Sequence, residues 1–345
     1  MNPLTWLTLT TSLMASTVIT MSSSHWLLAW LGLELNTLSI LPIIMLNHHP
    51  RATEAATKYF LVQATAATMI MLASTMNAWQ TGQWSLTHLT TLTTLLFTTA
   101  LMLKLGAAPM HLWYPQVLQG VTMNTALLIS TWQKIAPLSL LYMMHSHLNR
   151  PALLTLGLLS TLIGGWAGLN QTQTRTIMAF SSIAHMGWLI TAMTISPSLT
   201  TLTMVLYMIM TFATFMPMAT TMTKTITDIG MTWPLSPPTL TATMLALMSL
   251  GGLPPLAGFM PKWLILKELS SASLTILATI ILLTSLPSLF FYIRLGYLTL
   301  LTTPPTTTNI EHKWRFKLSQ PTWAALSMST TALLLPTTMA LYTTT

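Results

Sequence analysis

The sequence predicts an all-α polytopic membrane protein with about eleven transmembrane helices. Three observations lead to this prediction. Of the 345 residues, 52% are hydrophobic and 5% are charged, whereas ordinary soluble domains have about 25% charged residues. The apolar runs are continuous and show no alternation of apolar and polar residues, which favours helices over a β-barrel. With about 20 residues per span and short loops, a chain of this length has room for about eleven spans.

The predicted spans are separated by short segments rich in proline and polar residues, which are typical turn signals. Two of the spans contain a break of their own. The spans run roughly over 3–21, 25–46, 57–78, 87–118 (broken), 124–145, 151–170, 176–195, 199–222, 240–266 (broken), 273–294 and 321–342. No soluble domain is expected, so residues 1–345 are predicted to form a single transmembrane domain.

Each broken span contains a segment that a continuous helix would not adopt. The first is Leu105–Pro109 (LGAAP), where proline removes a backbone donor and clashes with the preceding turn. The second is Gly251–Pro261 (GGLPPLAGFMP), with three glycines and three prolines. Irregular backbone at membrane depth is tolerated where it is buried in protein or lines water. Breaks at corresponding places in two halves of a chain indicate an ion site and an inverted repeat.

Four ionisable residues inside predicted spans are candidates for a proton path. Lys134 lies about ten residues from either end of its span, which places it about 15 Å deep in a hydrocarbon core about 30 Å thick. An ammonium group there costs about 2.5–3.5 kcal/mol on insertion scales unless it is paired or hydrated. Glu34 lies at mid-depth in the second span and is a candidate switchable partner for Lys104, beside the first break. Lys262 follows the second break. Static salt bridges that lock helices together are the alternative interpretation.

Two histidines are weaker candidates. His111 follows the first break and His185 lies within a later span, and each can relay protons because histidine titrates near neutral pH. A hydrogen-bonded core histidine is an equally good interpretation of each. The sequence has no cysteine, no phosphate-binding glycine loop and no cluster with metal-ligand spacing, so no cofactor or metal is expected on this chain. It also lacks a basic face with interleaved aromatic residues, so nucleic acid is not an expected partner.

The positive residues predict the orientation in the membrane. If the N-terminus lies on one side, eight lysines and arginines fall on that side, against two on the other, Arg150 and Lys267. The richer side is therefore the inner compartment, and the loop at about 295–320 lies there too. An odd number of spans places the C-terminus on the opposite side. The eight residues are Arg51, Lys58, Arg175, Lys224, Arg294, Lys313, Arg315 and Lys317.

Three segments resemble the signatures of one family, the antiporter-like subunits of respiratory complex I. Pro109–Pro115 (PMHLWYP) is similar to the family's P-x-H-x-W-x-P. Gln171–Gly187 (QTQTRTIMAFSSIAHMG) resembles the family's next signature, which typically ends in A-Y-S-S-I-x-H-x-G, with Phe180 in place of the tyrosine. Gly251–Phe259 (GGLPPLAGF) resembles the third signature. Gln116 departs from the family, which often has an acid after the proline. The three segments occur in the family's order and spacing, between residues 109 and 259 of the chain.

The resemblance implies a core subunit of complex I in the mitochondrial inner membrane, with the N-terminus in the matrix and the C-terminus in the intermembrane space. It implies an antiporter-like inverted-repeat fold that lacks the first three helices of the bacterial form. Glu34 and Lys104 would be the family's carboxylate–lysine pair, Lys134 its central lysine, and Lys262 the terminal residue of the second broken helix.

The resemblance also implies a function and partners. Protons would cross the membrane, driven by electron transfer from NADH to ubiquinone, with FMN, iron–sulfur clusters and ubiquinone in other subunits. The partners would be adjacent antiporter-like and small core subunits, accessory subunits, and phospholipids such as cardiolipin.

Two other classes of function remain open on the sequence. A subunit of a cation/proton antiporter would share the lysines and the broken helices, but it would transport sodium without flavin or iron–sulfur proteins. A membrane scaffold would use the lysines as fixed ion pairs and would keep full pumping after neutralisation of Lys134.

Overall fold

The computed structural model describes residues 2–46, 48–86, 88–234, 236–305 and 329–331. Within these residues the regular structure is helical, and β-type pairing is limited to two isolated bridges, His25–Ser85 and Gln173–Thr225. Seven of the helices are long and apolar enough to cross a membrane. The all-α membrane fold predicted from the sequence is confirmed, whereas the number of spans stays a prediction.

Short connections join most of the helices in the described residues. In chain order, these helices are α1 (Pro3–Ser22), α2 (Trp26–Ile44), α3 (Pro50–Thr81), α4 (Thr91–Leu105), α5 (Trp113–Gly120), α6 (Met123–Ser130), α7 (Trp132–Met143), α8 (Arg150–Gly168), α9 (Thr174–Ile195), α10 (Pro197–Thr220), α11 (Ile226–Gly230), α12 (Pro237–Gly251), α13 (Phe259–Ser271) and α14 (Thr275–Leu301).

Prolines and glycines set several helix ends. Helices α3, α10 and α12 have proline in the first turn, where its missing N–H has no intrahelical acceptor to lose. Helices α3, α4 and α12 end at Gly82, Gly106 and Gly252, whose φ angles are 72°, 68° and 82°. Glycine adopts this left-handed conformation without the penalty that a side chain would add. Two of these three helix ends are the starts of the predicted breaks.

Many serine and threonine hydroxyl groups within the described helices donate to a carbonyl of their own helix. Thr98 Oγ1 donates to the Leu95 carbonyl at 2.9 Å, and Thr214 Oγ1 donates to the Thr211 carbonyl at 2.9 Å. A hydroxyl bonded in this way needs no partner outside its helix. The many threonines of the chain are therefore compatible with membrane spans.

The structure contains both breaks that the sequence predicts. Helix α4 ends at Leu105 and α5 begins at Trp113, while α12 ends at Gly251 and α13 begins at Phe259. One detail differs from the expectation. Lys262 lies in the first turn of α13, which continues to Ser271, and so it is not the terminal residue of the second broken helix.

Several elements differ from the prediction, among them α3, which begins at Pro50 instead of 57, and α13, which continues to Ser271 instead of ending at 266. The span predicted as continuous over 124–145 is divided into α6 and α7 at Thr131, whose backbone angles are φ −111° and ψ −72°. The short helix α11 was not predicted, and α14 continues to Leu301 instead of ending at 294. The rest of the predicted loop beyond residue 305 and nearly all of the span 321–342 lie outside the described residues.

The chain consists of two compact units, Met1–Leu156 and Gly157–Thr345. In the first unit, the large side chains of Trp26, Phe97 and Tyr114 are fully buried. In the second unit, a core cluster includes Leu199 and Ile281. The prediction of one transmembrane domain over residues 1–345 stays a prediction.

Candidate functional site

Lys104 lies in the last turn of α4, directly before the first break. The residue is 7% exposed, and its Nζ has no hydrogen-bond partner among the described residues. Two hydrogen bonds satisfy carbonyl groups in the last turn of this helix. Ala107 N–H donates to the Met102 carbonyl and the Trp113 indole N–H donates to the Leu103 carbonyl, each at 3.1 Å. The helix dipole favours a cation at this end. The break therefore holds a buried ammonium group at a helix C-terminus.

Lys134 lies in the first turn of α7, just after the break at Thr131. The residue is 2% exposed, and its Nζ lies 4.8 Å from the centre of the Tyr114 ring on α5. The quadrupole of an aromatic ring attracts a cation, and more strongly where water is excluded. Tyr114 therefore offsets part of the cost of burying this ammonium group.

Lys104 and Lys134 line the same small cavity, which has a volume of about 20 Å³. A buried water needs at least about 10–15 Å³, so the cavity has room for about one water molecule. Two ammonium groups at one low-dielectric space repel each other, so the charge of one affects the proton affinity of the other. The structure thus brings two of the candidate residues together.

Glu34 lies half-buried on α2 in the same unit. Its carboxylate accepts a hydrogen bond from the Thr37 hydroxyl at 3.1 Å, and no salt bridge joins it to Lys104 in the described part of the chain. The carboxylate is nevertheless close enough to interact electrostatically with Lys104 and with the Tyr59 hydroxyl. The carboxylate–lysine pair expected from the sequence is therefore an interaction through space in this structure.

Uncharged polar side chains that sequence reasoning missed connect three helices at this cavity. Gln133 Nε2 donates to Asn36 Oδ1 at 3.1 Å, and the Tyr59 hydroxyl donates to Gln133 Oε1 at 3.3 Å. Gln63 Nε2 approaches the Lys104 carbonyl at 3.5 Å. Amide side chains inside apolar spans were the signal that could have found these residues, because a buried amide requires partners.

Lys262 connects the two halves of the second break. Its Nζ donates to the carbonyl of Gly251, the last residue of α12, at 2.8 Å, and lies 5.9 Å from the centre of the Trp188 ring. The bond satisfies one of the carbonyls that a helix end leaves without an intrahelical partner. A cavity of about 20 Å³ beside it is lined by His185 and Tyr207 as well as by Lys262. The second unit thus also has a lysine beside a helix break.

The two candidate histidines differ in their surroundings. His111 is buried in the first break, with Nδ1 3.2 Å from the Pro109 carbonyl, and it does not line the lysine cavity of the first unit. His185 is half-buried, with Nδ1 2.8 Å from the Ser181 carbonyl, and it lines the cavity of Lys262. This placement makes His185 the better candidate for a relay.

Two expectations about the site remain predictions. Lys104 and Lys134 belong to the first unit and Lys262 belongs to the second, so the expected single row of three lysines stays a prediction. The absence of a metal on this chain also stays a prediction, although within the described residues no group of three or more His, Asp and Glu side chains is placed to hold a metal ion.

Comparison with protein families identifies the chain's relatives. A model described as NADH:quinone oxidoreductase/Mrp antiporter, transmembrane region, matches residues 23–307. The chain belongs to the NADH:quinone oxidoreductase/Mrp antiporter family. A second family model, described as NADH dehydrogenase subunit 2 C-terminus, matches residues 289–342.

Relatives within this family are similar over nearly their full length. NADH-ubiquinone oxidoreductase chain 2 of Xenopus laevis is 51% identical, over 93% of this chain and 94% of that protein. The protein of the same name from Carassius auratus is 52% identical, over 99% of each chain. The resemblance that the sequence motifs indicated is confirmed.

Solved structures of similar chains share the fold. A chain of respiratory complex I from Thermus thermophilus has a TM-score of 0.79 and 25% identity, and the match covers 95% of this chain and 74% of that one. A chain of the Mrp complex from Dietzia has a TM-score of 0.76 and 16% identity, with 83% and 59% covered. The second similarity concerns the fold alone. Together they confirm the antiporter-like fold class.

Proposed function

We propose that this chain translocates protons as a membrane subunit of respiratory complex I. The observation that carries the proposal is the pair of buried lysines, Lys104 and Lys134, each beside a helix break and both at one cavity of the size of a water molecule. The chain is also about half identical to chain 2 of NADH-ubiquinone oxidoreductases over nearly its whole length. Buried, hydrated ammonium groups are suited to carry protons because small changes around them alter their proton affinity.

The lysines and Glu34 can pass a charge change along the first unit. The proton affinity of Lys104 depends on the distance to the Glu34 carboxylate, which interacts with it through space. Because Lys104 and Lys134 share a cavity, a proton lost from one stabilises the charged form of the other. Movement of Glu34 would therefore change the proton affinity of Lys104 and, through it, that of Lys134. Lys262, with His185 beside it, would serve the second unit in the same way.

This function assigns the redox chemistry to other subunits. FMN, the iron–sulfur clusters and ubiquinone would be held there, and electron transfer from NADH would act on this chain through movement or charge. The complex would lie in the mitochondrial inner membrane, with the N-terminus of this chain in the matrix. Adjacent antiporter-like subunits, small core subunits, accessory subunits and cardiolipin would surround it.

A subunit of a cation/proton antiporter is the alternative function, because the fold is also similar to a chain of the Mrp complex. The identity to that chain is 16%, whereas identity to the chain 2 proteins is about three times as high. Purification distinguishes the two. The proposed subunit purifies together with flavin and iron–sulfur proteins, whereas an antiporter subunit transports sodium in liposomes without them.

The proposal is tested by neutralising Lys134. We expect Lys134→Ala to leave the complex assembled and to lower proton pumping several-fold, because the cavity loses its second proton carrier. Lys134→Arg should fail similarly, since a guanidinium does not release its proton. Proton uptake by vesicles that contain the purified complex measures the effect. Lys58→Ala, at an exposed lysine paired with Glu54 on α3, is the control. Full pumping by assembled Lys134→Ala would refute the proposal.

A further inference from the structure

We propose that Gln133 is a positioning residue for proton transfer, whose side-chain amide ties α7 to α2 and α3 and so keeps Lys134 in the cavity that it shares with Lys104. This inference rests on the proposed proton translocation and extends it to an uncharged residue. Gln133 itself lines that cavity, next to Lys134 in the chain.

The two hydrogen bonds of Gln133 use both ends of its amide. The amide nitrogen donates to Asn36 on α2, and the amide oxygen accepts from Tyr59 on α3. Asn36 and Tyr59 are each 2% exposed, so bulk water does not replace these bonds. Breaking either bond leaves a buried polar group without its partner. Because this costs free energy, the two bonds hold the three helices together.

The backbone around Gln133 explains why α7 depends on such a connection. The break at Thr131 interrupts helical continuity with α6. Pro137, four residues after Gln133, has no N–H and cannot donate to the Gln133 carbonyl. The first turn of α7 therefore has fewer backbone hydrogen bonds than a continuous helix, and the side chain of Gln133 anchors it instead.

Anchoring Gln133 also fixes the direction of Lys134. Consecutive residues of a helix point about 100° apart, so a first turn held through Gln133 cannot rotate without moving Lys134. In the present orientation the Lys134 ammonium lies 4.8 Å from the centre of the Tyr114 ring and at the cavity that contains Lys104. Release of Gln133 would free the turn and let Lys134 leave that position.

The amide acts by geometry, because a neutral amide donates and accepts hydrogen bonds but does not titrate near neutral pH. The titratable groups that face the cavity are Lys104 from α4, Lys134 from α7, Tyr59 from α3 and Tyr114 from α5, with Glu34 from α2 acting through space. Helices α1 and α6 also pack against α7 and have no ionisable side chain. A change at Gln133 should therefore alter the pH dependence of pumping through these five groups.

Three single variants and one double variant in the assembled complex test the inference. Gln133→Met keeps the length of the side chain and removes both hydrogen bonds, and Tyr59→Phe removes one of them. We expect each to lower proton pumping several-fold and to shift its pH profile by roughly one unit, because the lysines change their surroundings. The double variant should lose little more pumping than the worse single variant, since both single variants break the same connection.

Gln133→Glu tests the hydrogen bonds through pH. At acidic pH this variant should pump like the wild type, because a protonated carboxyl group both donates and accepts a hydrogen bond, and pumping should fall as the carboxyl group ionises.

The control is Gln171→Met, in the loop before α9 and outside the cavity, which should pump normally with an unchanged pH profile. Wild-type pumping and pH profile in assembled Gln133→Met, together with a loss in Lys134→Ala, would refute this inference and leave the proposed function standing. Normal pumping in both variants would refute the proposed function itself. If Gln133→Met does not assemble, Tyr59→Phe and Gln133→Glu test the positioning role of Gln133 instead. Wild-type pH profiles of pumping in these two variants would refute the inference.

Discussion

At the scale of single residues, the charge of Glu34 is the feature most open to direct test. Glu34→Gln keeps the shape of the side chain and an acceptor for the Thr37 hydroxyl, but it removes the charge that acts on Lys104. We expect the complex to assemble and both ubiquinone reduction and proton pumping to fall, because the proton affinity of Lys104 no longer responds to a carboxylate. The two rates, measured per assembled complex, give the result.

The control for this change is Glu54→Gln, at an exposed carboxylate paired with Lys58 on the surface of α3, which should behave as wild type because surface pairs contribute little. Normal turnover and normal pumping in assembled Glu34→Gln would contradict the coupling of Glu34 to Lys104.

The sequence predicted the charged residues of the site because a charge inside an apolar run is conspicuous. It did not predict Gln133 or Tyr59, since an amide or a phenol has no obvious partner until the helices are packed. Nor did it predict that Glu34 and Lys104 interact without contact. Sequence position places both within apolar spans, but the separation of two side chains on different helices depends on how those helices pack.

At the scale of helices, the end of α4 at Gly106 supports a prediction. A Cβ atom at this glycine would lie 3.1 Å from Tyr114 Cβ, and the φ of 68° disfavours any side chain by about 1–2 kcal/mol. We expect Gly106→Ala to lower the thermal stability of the complex and also its pumping, because Tyr114 must move and Tyr114 contacts Lys134.

Gly82→Ala is the matched control for that change. Gly82 ends α3 with a similar φ of 72°, but a Cβ atom there would meet nothing within 4 Å. It should therefore show the loss of stability due to backbone strain and no loss of pumping. The thermal inactivation of both variants and their pumping rates provide the comparison, and equal effects at the two glycines would rule out a role for the contact with Tyr114.

The helix breaks show which elements a sequence can predict. The breaks after α4 and α12 contain glycine and proline, which exclude a regular helix. The break at Thr131 has neither residue beside it. The nearby Pro137 remains inside α7, because a proline within a helix can kink it without ending it. The position at which α6 and α7 divide was therefore not evident in the sequence.

At the scale of the whole molecule, the orientation in the membrane is directly testable because the chain has no cysteine of its own. We expect a membrane-impermeant maleimide to modify Lys224→Cys from the matrix side and Ser270→Cys from the opposite side. The reason is the excess of positive residues on the side of Lys224. Labelling in mitoplasts and in inverted membrane particles, followed by isolation of this chain, gives the result. Reversed labelling would overturn the orientation.

The number of residues and the hydropathy were enough to predict the class of the molecule, because few other folds accommodate so little charge. They were not enough to predict the division into two compact units, Met1–Leu156 and Gly157–Thr345. Such a division depends on which helices contact each other, and similar apolar helices allow many pairings.

The small volume of the cavity between Lys104 and Lys134 has an electrical consequence. A continuous chain of water through a proton pump would let protons leak back across the membrane. The membrane potential drives this leak with about 2.3 kcal/mol per charge per 100 mV. A space of about 20 Å³ holds about one water and not a chain of water. At this cavity the packing around the two lysines therefore leaves no room for such a chain of water, and the proposed translocation requires the protein to move here.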